Sequence, residues 1–176
     1  MRQAFPFLLF LILLFKSMPG RAQVSTNDSG SFESLKGKLP MPVDRFTNLS
    51  TYEQWVLKYR DRPRLGCGGD GKRLTIQSDS IMTVKNVAAG KVVSVFHYDG
   101  LYALVVNHGK YVFMYPNLDT VFVKKDDTIK AGQPIGKVVT SSYGGSYELE
   151  LMMGKIGGDR PESIDPYPWF AHSHFF

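Results

Sequence analysis

Apolar residues recur along this chain in three different rhythms. Ala4 to Phe15 is an almost unbroken apolar run of 12 residues. Tyr52, Trp55, Val56 and Tyr59 recur at i, i+3, i+4 and i+7, the spacing of one helix face. From Arg73 onward short β-type runs take over: 74–76, 83–86, 90–97, 102–107, 111–115, 128–129, 136–140 and 146–152. These runs are rich in Val, Ile, Thr, Tyr and Phe, and Gly, Asp and Asn punctuate them. Asp99-Gly100 and His108-Gly109 fall where hairpin turns need residues tolerant of positive φ. Eight short strands at this spacing predict an all-β domain. The predicted form is a small antiparallel sandwich or partly open barrel with one short inserted helix.

That helix starts at Ser50 as N-cap, with Glu53 three residues on, and stops before Pro63. Its aromatic face is expected to pack on the sheet rather than to hold a ligand. Pro40 and Pro42 exclude a helix interior and predict an extended opening segment. Residues 157–161 read as a loop, and Asp165 to Phe170 closes the domain.

The first apolar run changes the picture of the whole chain. Arg2 precedes it, and Gly20-Arg21-Ala22 after it suits cleavage before Gln23. Twelve residues fall short of the roughly 20 that span a membrane. Residues 1–22 are therefore expected to be a secretory signal peptide, the only contact with a membrane. Residues 23–34 are read as a flexible polar segment. The formal net charge of +5 includes Arg2, Lys16 and Arg21 and no acid from the leader. Without it, 18 Lys and Arg face 16 Asp and Glu. No basic cluster is left to neutralise several phosphates, so nucleic acid is not an expected partner. The one cysteine, Cys67, cannot make an internal disulfide and reads as a small loop residue.

Five segments in order resemble the LytM (lysostaphin-like) domain of bacterial peptidoglycan endopeptidases. LKGKLPMPV at 35–43 is similar to that domain's opening strand. VKNVAAGKVVSV at 84–95 is similar to its V-x-A-x-x-x-G-x-V hairpin. ALVVNHGKYVFMYPNL at 103–118 resembles its I-I-x-H-G…Y-x-H-L stretch. VKKDDTIKAGQPIG at 123–136 resembles V-x-x-G-x-x-V-x-x-G-Q-x-I-G. SYELEL at 146–151 stands where the family writes H-L-H-F-E-I. The resemblance implies a domain over 35–170, an insertion with the helix over 44–70 and a tail over 171–176. It also implies a LytM-type (duplicated-hybrid-motif) fold.

The family's chemistry does not carry over with the scaffold. A zinc peptidase needs three protein ligands and an open position for water. The family's ligand and catalytic positions are occupied here by Gly71, Thr75, Asn117, Ser146 and Glu148. No catalytic residue, no metal ligand set and no zinc are expected. The histidines do not replace them: His97 and His108 read as surface turn residues, and His172 and His174 lie in the tail. Asp126-Asp127 reads as a solvated hairpin tip rather than a catalytic pair.

The resemblance then implies an exported protein of the periplasm or cell envelope that leans away from enzyme activity. Its partners would be peptidoglycan or a peptidoglycan amidase or other wall hydrolase, in an activator or scaffold role. Groove residues Asn117, Ser146, Glu148, Tyr115, Tyr143 and Tyr147 would do the binding. The alternative is an active zinc metalloendopeptidase with displaced ligands, cleaving peptidoglycan cross-bridges. A biotinyl or lipoyl carrier shares the hairpin pattern but needs a Lys where Met82 is followed by Thr83.

Overall fold

The computed structural model describes residues 32–51, 54, 72–98, 100–139, 145–157 and 160–171. The proposed leader, most of the proposed helix, Cys67, Gly71, Tyr143, His172 and His174 lie outside the described residues. Eleven strands are described: β1 Asn48–Thr51, β2 Arg73–Ser78, β3 Met82–Lys85, β4 Gly90–Tyr98, β5 Leu101–His108, β6 Tyr111–Leu118, β7 Thr120–Val121, β8 Thr128–Ile129, β9 Pro134–Val138, β10 Tyr147–Gly157 and β11 Arg160–Ile164. The large sheet runs β1-β2-β10-β6-β5-β4-β8, with β11 also paired to β10, and the small one runs β3-β9-β7. Every strand pairing is antiparallel, and neither sheet closes into a barrel.

The period of two sets the core. Leu74 and Ile76 of β2, Leu104 and Val106 of β5, Tyr111, Phe113 and Tyr115 of β6, and Leu149 and Leu151 of β10 turn to one face and are buried. Against them pack Met82 and Val84 of β3 and Ile135 and Val138 of β9. The opposite face carries a smaller apolar cluster of Ala103, Val105, Val112 and Met114. The large sheet is therefore apolar on both faces through its middle strands.

Asn86 fastens the two sheets. Its side chain donates to the carbonyls of Ala88 and, at 3.3 Å, Lys130. Its Oδ1 accepts the Tyr115 hydroxyl at 3.4 Å, and that hydroxyl accepts the Val87 N–H at 3.2 Å. Its backbone N–H and carbonyl pair with Gln133 and Gly132 at 2.9 and 2.8 Å.

The run from 121 to 139 serves both sheets. β7 and β9 pair in the small sheet, while β8 between them pairs with β4 in the large one. Asp127 organises the first turn by accepting the Lys124 N–H at 2.9 Å. Gln133 organises the second by accepting the Lys130 N–H at 3.0 Å.

Three readings change. Ser50 is a buried strand residue paired with Thr75, not a cap. The cap lies one residue later: the Gln54 N–H reaches Thr51 Oγ1 at 3.4 Å, and Thr51 N–H reaches Gln54 Oε1 at 3.1 Å, a reciprocal capping box. Arg160 and Pro161 are not loop but open β11, where an outer strand tolerates Pro161. His108 is not a surface turn residue. It is buried, and its ring stacks on Phe32 at 5.1 Å and meets the edge of Phe113 at 5.7 Å. His97, by contrast, is exposed.

Gly90 makes room for His108. A Cβ there would lie 2.6 Å from His108 Nδ1 and 2.5 Å from the Asn107 carbonyl oxygen. Gly90→Ala should therefore cost roughly 1–3 kcal/mol by overpacking, read as a lower urea midpoint with an unchanged m-value.

Candidate functional site

The site grows from the second face of β2 and β10. Strand alternation sends Arg73, Thr75 and Gln77 away from the core, and register sets them opposite Met152, Glu150 and Glu148. Asn48 and Ser50 of β1 extend the row on the other side of β2. The described contacts form a chain of polar groups. Asn48 Nδ2 donates to Gln77 Oε1 at 2.8 Å, and Gln77 Nε2 donates to Glu148 Oε1 at 2.5 Å. Arg73 Nη1 lies 3.7 Å from Glu150 Oε1. Burial pushes the Glu150 carboxyl upward, against the pull of Arg73, and Glu148 adds to the rise. Thr75 is 1% exposed, and its hydroxyl has no hydrogen-bond partner among the described residues.

Asn117 joins this face through a bulge. Tyr102 pairs with Leu118 and Leu104 with Tyr115, so Ala103 alone opposes Pro116 and Asn117. The extra residue lets both Tyr115 and Leu118 be fully buried on the core side. Asn117 takes the left-handed conformation this requires, at φ 64°, which Asn tolerates better than most residues. Tyr98 donates its hydroxyl to Asn117 Oδ1 at 3.0 Å.

The structure divides the expected groove set. Glu148 and Thr75 share the face, Ser146 precedes Tyr147 on the same alternation as Glu148, and Asn117 lies on the neighbouring β6. Tyr115 does not belong: it is wholly buried and spends its hydroxyl on Val87 and Asn86. Burial raises its phenol well above the usual tyrosine range. Tyr147 packs against the core from the opposite face to Glu148. Arg73, Gln77, Glu150 and Asn48 belong to the site although their motif positions did not single them out. Counting by two from Thr75 and Glu148 finds the first three.

The residues present do not fit a zinc ion. Thr75 is a neutral hydroxyl, Glu148 already accepts from Gln77, and the Arg73 guanidinium opposes a nearby dication. Gly71 has no side-chain donor. Among the described residues no three His, Cys, Asp or Glu side chains gather to hold a metal. What the face can do is accept and donate hydrogen bonds and offer carboxylate charge.

The sequence profile of Peptidase family M23 matches residues 71–161. The chain belongs to peptidase family M23. No curated protein matches it. Among solved structures it is similar to a candidate glycyl-glycine endopeptidase LytM from Ruminococcus gnavus ATCC 29149, at TM-score 0.59 and 18% identity, covering 98% of this chain and 90% of that one. A candidate peptidase M23 from Pseudomonas aeruginosa matches at TM-score 0.58 and 20% identity, covering 94% of this chain and 59% of that one. A chain from the SpoIIQ–SpoIIIAH pore-forming complex matches at TM-score 0.55 and 19% identity, covering 77% and 92%. The chain spans as little as 33% of another matched structure. At these identities the three likenesses establish the LytM-type fold. The M23 match covers the groove strands β2 and β10 and everything between them.

A separate shallow cavity of about 570 Å³ lies on the core side, lined by Glu33, Lys36, Tyr111, Lys155 and Trp169 among others. Its charges are largely spent internally. Tyr111 donates to Glu33, Lys155 lies 3.8 Å from Glu33, and Lys36 sits over the Trp169 ring.

His108 supplies no catalytic base to the groove. Its Nδ1 donates to the Ala89 carbonyl at 2.8 Å, so Nε2 carries the lone pair, and Nε2 has no partner among the described residues. Burial holds its pKa down at about 4 against an ordinary 6.5. The unfolded chain then binds more protons than the folded one between these values, so stability falls as pH drops from 6.5 to 4. The loss approaches about 3 kcal/mol at 1.36 kcal/mol per unit. Denaturation curves across that window should show the slope, and His108→Phe should flatten it. Tyr115→Phe should leave the Val87 N–H unsatisfied and lower stability by about 1–3 kcal/mol, while any ligand binding at the groove stays unchanged.

Proposed function

We propose that this protein is an exported, non-catalytic M23 member of the cell envelope whose groove face binds peptidoglycan or a wall hydrolase. One observation carries the reading. Where the family holds zinc, this chain builds a hydrogen-bonded row of Asn48, Gln77 and Glu148 beside an Arg73–Glu150 pair. The partly exposed Asn48, Glu148 and Glu150, held by the buried Gln77 and Arg73, suit hydrogen bonding to peptide and sugar groups, and they do not polarise a scissile carbonyl as a metal would. Export rests on the apolar run at 4–15 and the small residues after it. The occurrence of a similar chain within the SpoIIQ–SpoIIIAH complex supports a protein as well as a polymer among the partners.

The purified protein should carry no stoichiometric zinc and leave peptidoglycan uncut. It should co-sediment with insoluble peptidoglycan or retain a wall hydrolase from an envelope extract. Asn117→Ala combined with Glu148→Ala should weaken that binding about tenfold, the effect of losing a hydrogen bond to a charged group. Stoichiometric zinc together with wall cleavage would instead establish an endopeptidase with displaced ligands.

A further inference from the structure

We propose that the groove recognises a primary ammonium group presented on a peptide, with Glu148, Glu150 and Thr75 as its three acceptors. The inference rests on the binding role proposed above and names what the same face would take.

The charge count points to a cation. Two carboxylates stand two residues apart on β10 and so share a face, with one guanidinium, Arg73, within ion-pair distance of Glu150. Glu148 has only the neutral Gln77 amide as its described hydrogen-bond partner, through Oε1. The set therefore carries one negative charge more than its described positive partners. Glu148 and Glu150 are partly exposed, Glu150 at only 23% of its side chain, and both are more open than the buried Thr75.

Thr75 adds a second, independent observation. Thr75 is directly opposite Glu150 and diagonal to Glu148. Such cross-strand neighbours hold their Cβ atoms roughly 4.5–8 Å apart, within reach of one small shared group. The Thr75 hydroxyl is buried and has no partner among the described residues. A buried hydroxyl left unpaired is destabilising, and a ligand that completes it removes that cost.

An ammonium group has three donors and no acceptor. Two carboxylates and a hydroxyl oxygen match that inventory. A guanidinium is a poorer match, because its planar fork asks for two coplanar acceptors on one carboxylate. The Arg73 guanidinium already lies beside Glu150.

The test is an NMR titration of the full chain with Ala-Lys-Ala blocked at both ends, against the same peptide acetylated on the lysine nitrogen. The free amine should bind at least about tenfold more tightly, as a charge-assisted hydrogen-bond set requires. Glu148→Gln keeps the Gln77 bond and should abolish the discrimination. Thr75→Val, close in shape, should reduce it severalfold. Equal binding of the two peptides would overturn the proposal, as would discrimination that survives Glu148→Gln. Loss of amine binding on adding calcium, with calcium itself shifting the same residues, would assign the acceptors to a metal ion and overturn it too. Sedimentation with amine-acetylated peptidoglycan separates this inference from the broader one. If the acetylated polymer binds as well as the native one, the ammonium site falls and wall binding stands. If no peptidoglycan binds but the lysine peptide does, wall binding falls and the ammonium site stands.

Discussion

The buried Asn86 is the constraint on which the rest of the structure depends. A small sheet of three strands cannot bury its own apolar face, and here it does so against the large sheet. Apolar contact alone is non-directional and would permit sliding. Asn86 removes that freedom. Its amide, its carbonyl oxygen and both its backbone groups reach the turn after β3, the turn before β9 and the Tyr115 hydroxyl on β6. Every partner is a specific atom, and leaving any of them unmet in the interior carries a penalty. The two-sheet register is therefore fixed by a polar side chain that is 1% exposed.

The face of β2 and β10 that carries Thr75 and Glu148 takes its geometry from the large sheet. β10 is central: it holds β2 on one side, β6 on the other and β11 along its second half. Positions on its outward face are aimed by strand alternation, whatever side chain they carry. Next to them the cluster of Ala103, Val105, Val112 and Met114 makes the same face apolar toward β5 and β6. The result is a face that is polar at the β2–β10 end and apolar at the β5–β6 end.

Much of this was legible because it follows from period two. The β runs from Arg73 to Met152 were visible as alternating Val, Ile, Tyr and Phe, and each produced a strand. What misled was local resemblance to turn and cap chemistry. Ser50-Thr51-Tyr52-Glu53 looks like a capping box, but Ser50 pairs with Thr75 and the box forms one residue later between Thr51 and Gln54. Gly157 to Pro161 looks like a loop, but the residues from Arg160 onward fold back on β10. Asn107-His108-Gly109 does turn, yet His108 points inward, because Gly90 on the adjacent strand leaves it space. No local pattern carries that information. In the site, motif proximity points to Tyr115 and Tyr147 as groove residues. Their parity with Phe113 and Leu149 places both on the core side, and counting by two would have exchanged them for Gln77 and Glu150.

Thr75 has an electrostatic logic of its own. In the reading proposed above Thr75 stands in place of a family carboxylate, and its direct cross-strand neighbour is Glu150, with Glu148 one step away. A dication would neutralise such a cluster. Without one, three carboxylates would share a partly buried face with Arg73 as their described counter-charge, and like charges opposite one another in a sheet are destabilising. A neutral residue at 75 relieves that repulsion while keeping a small polar side chain in place. Arg73, on the same face and beside Glu150, compensates further. A neutral residue at 75 and a guanidinium at 73 thus both lower the charge repulsion on this face. A surplus of acceptors remains, and the proposed ammonium ligand would use it.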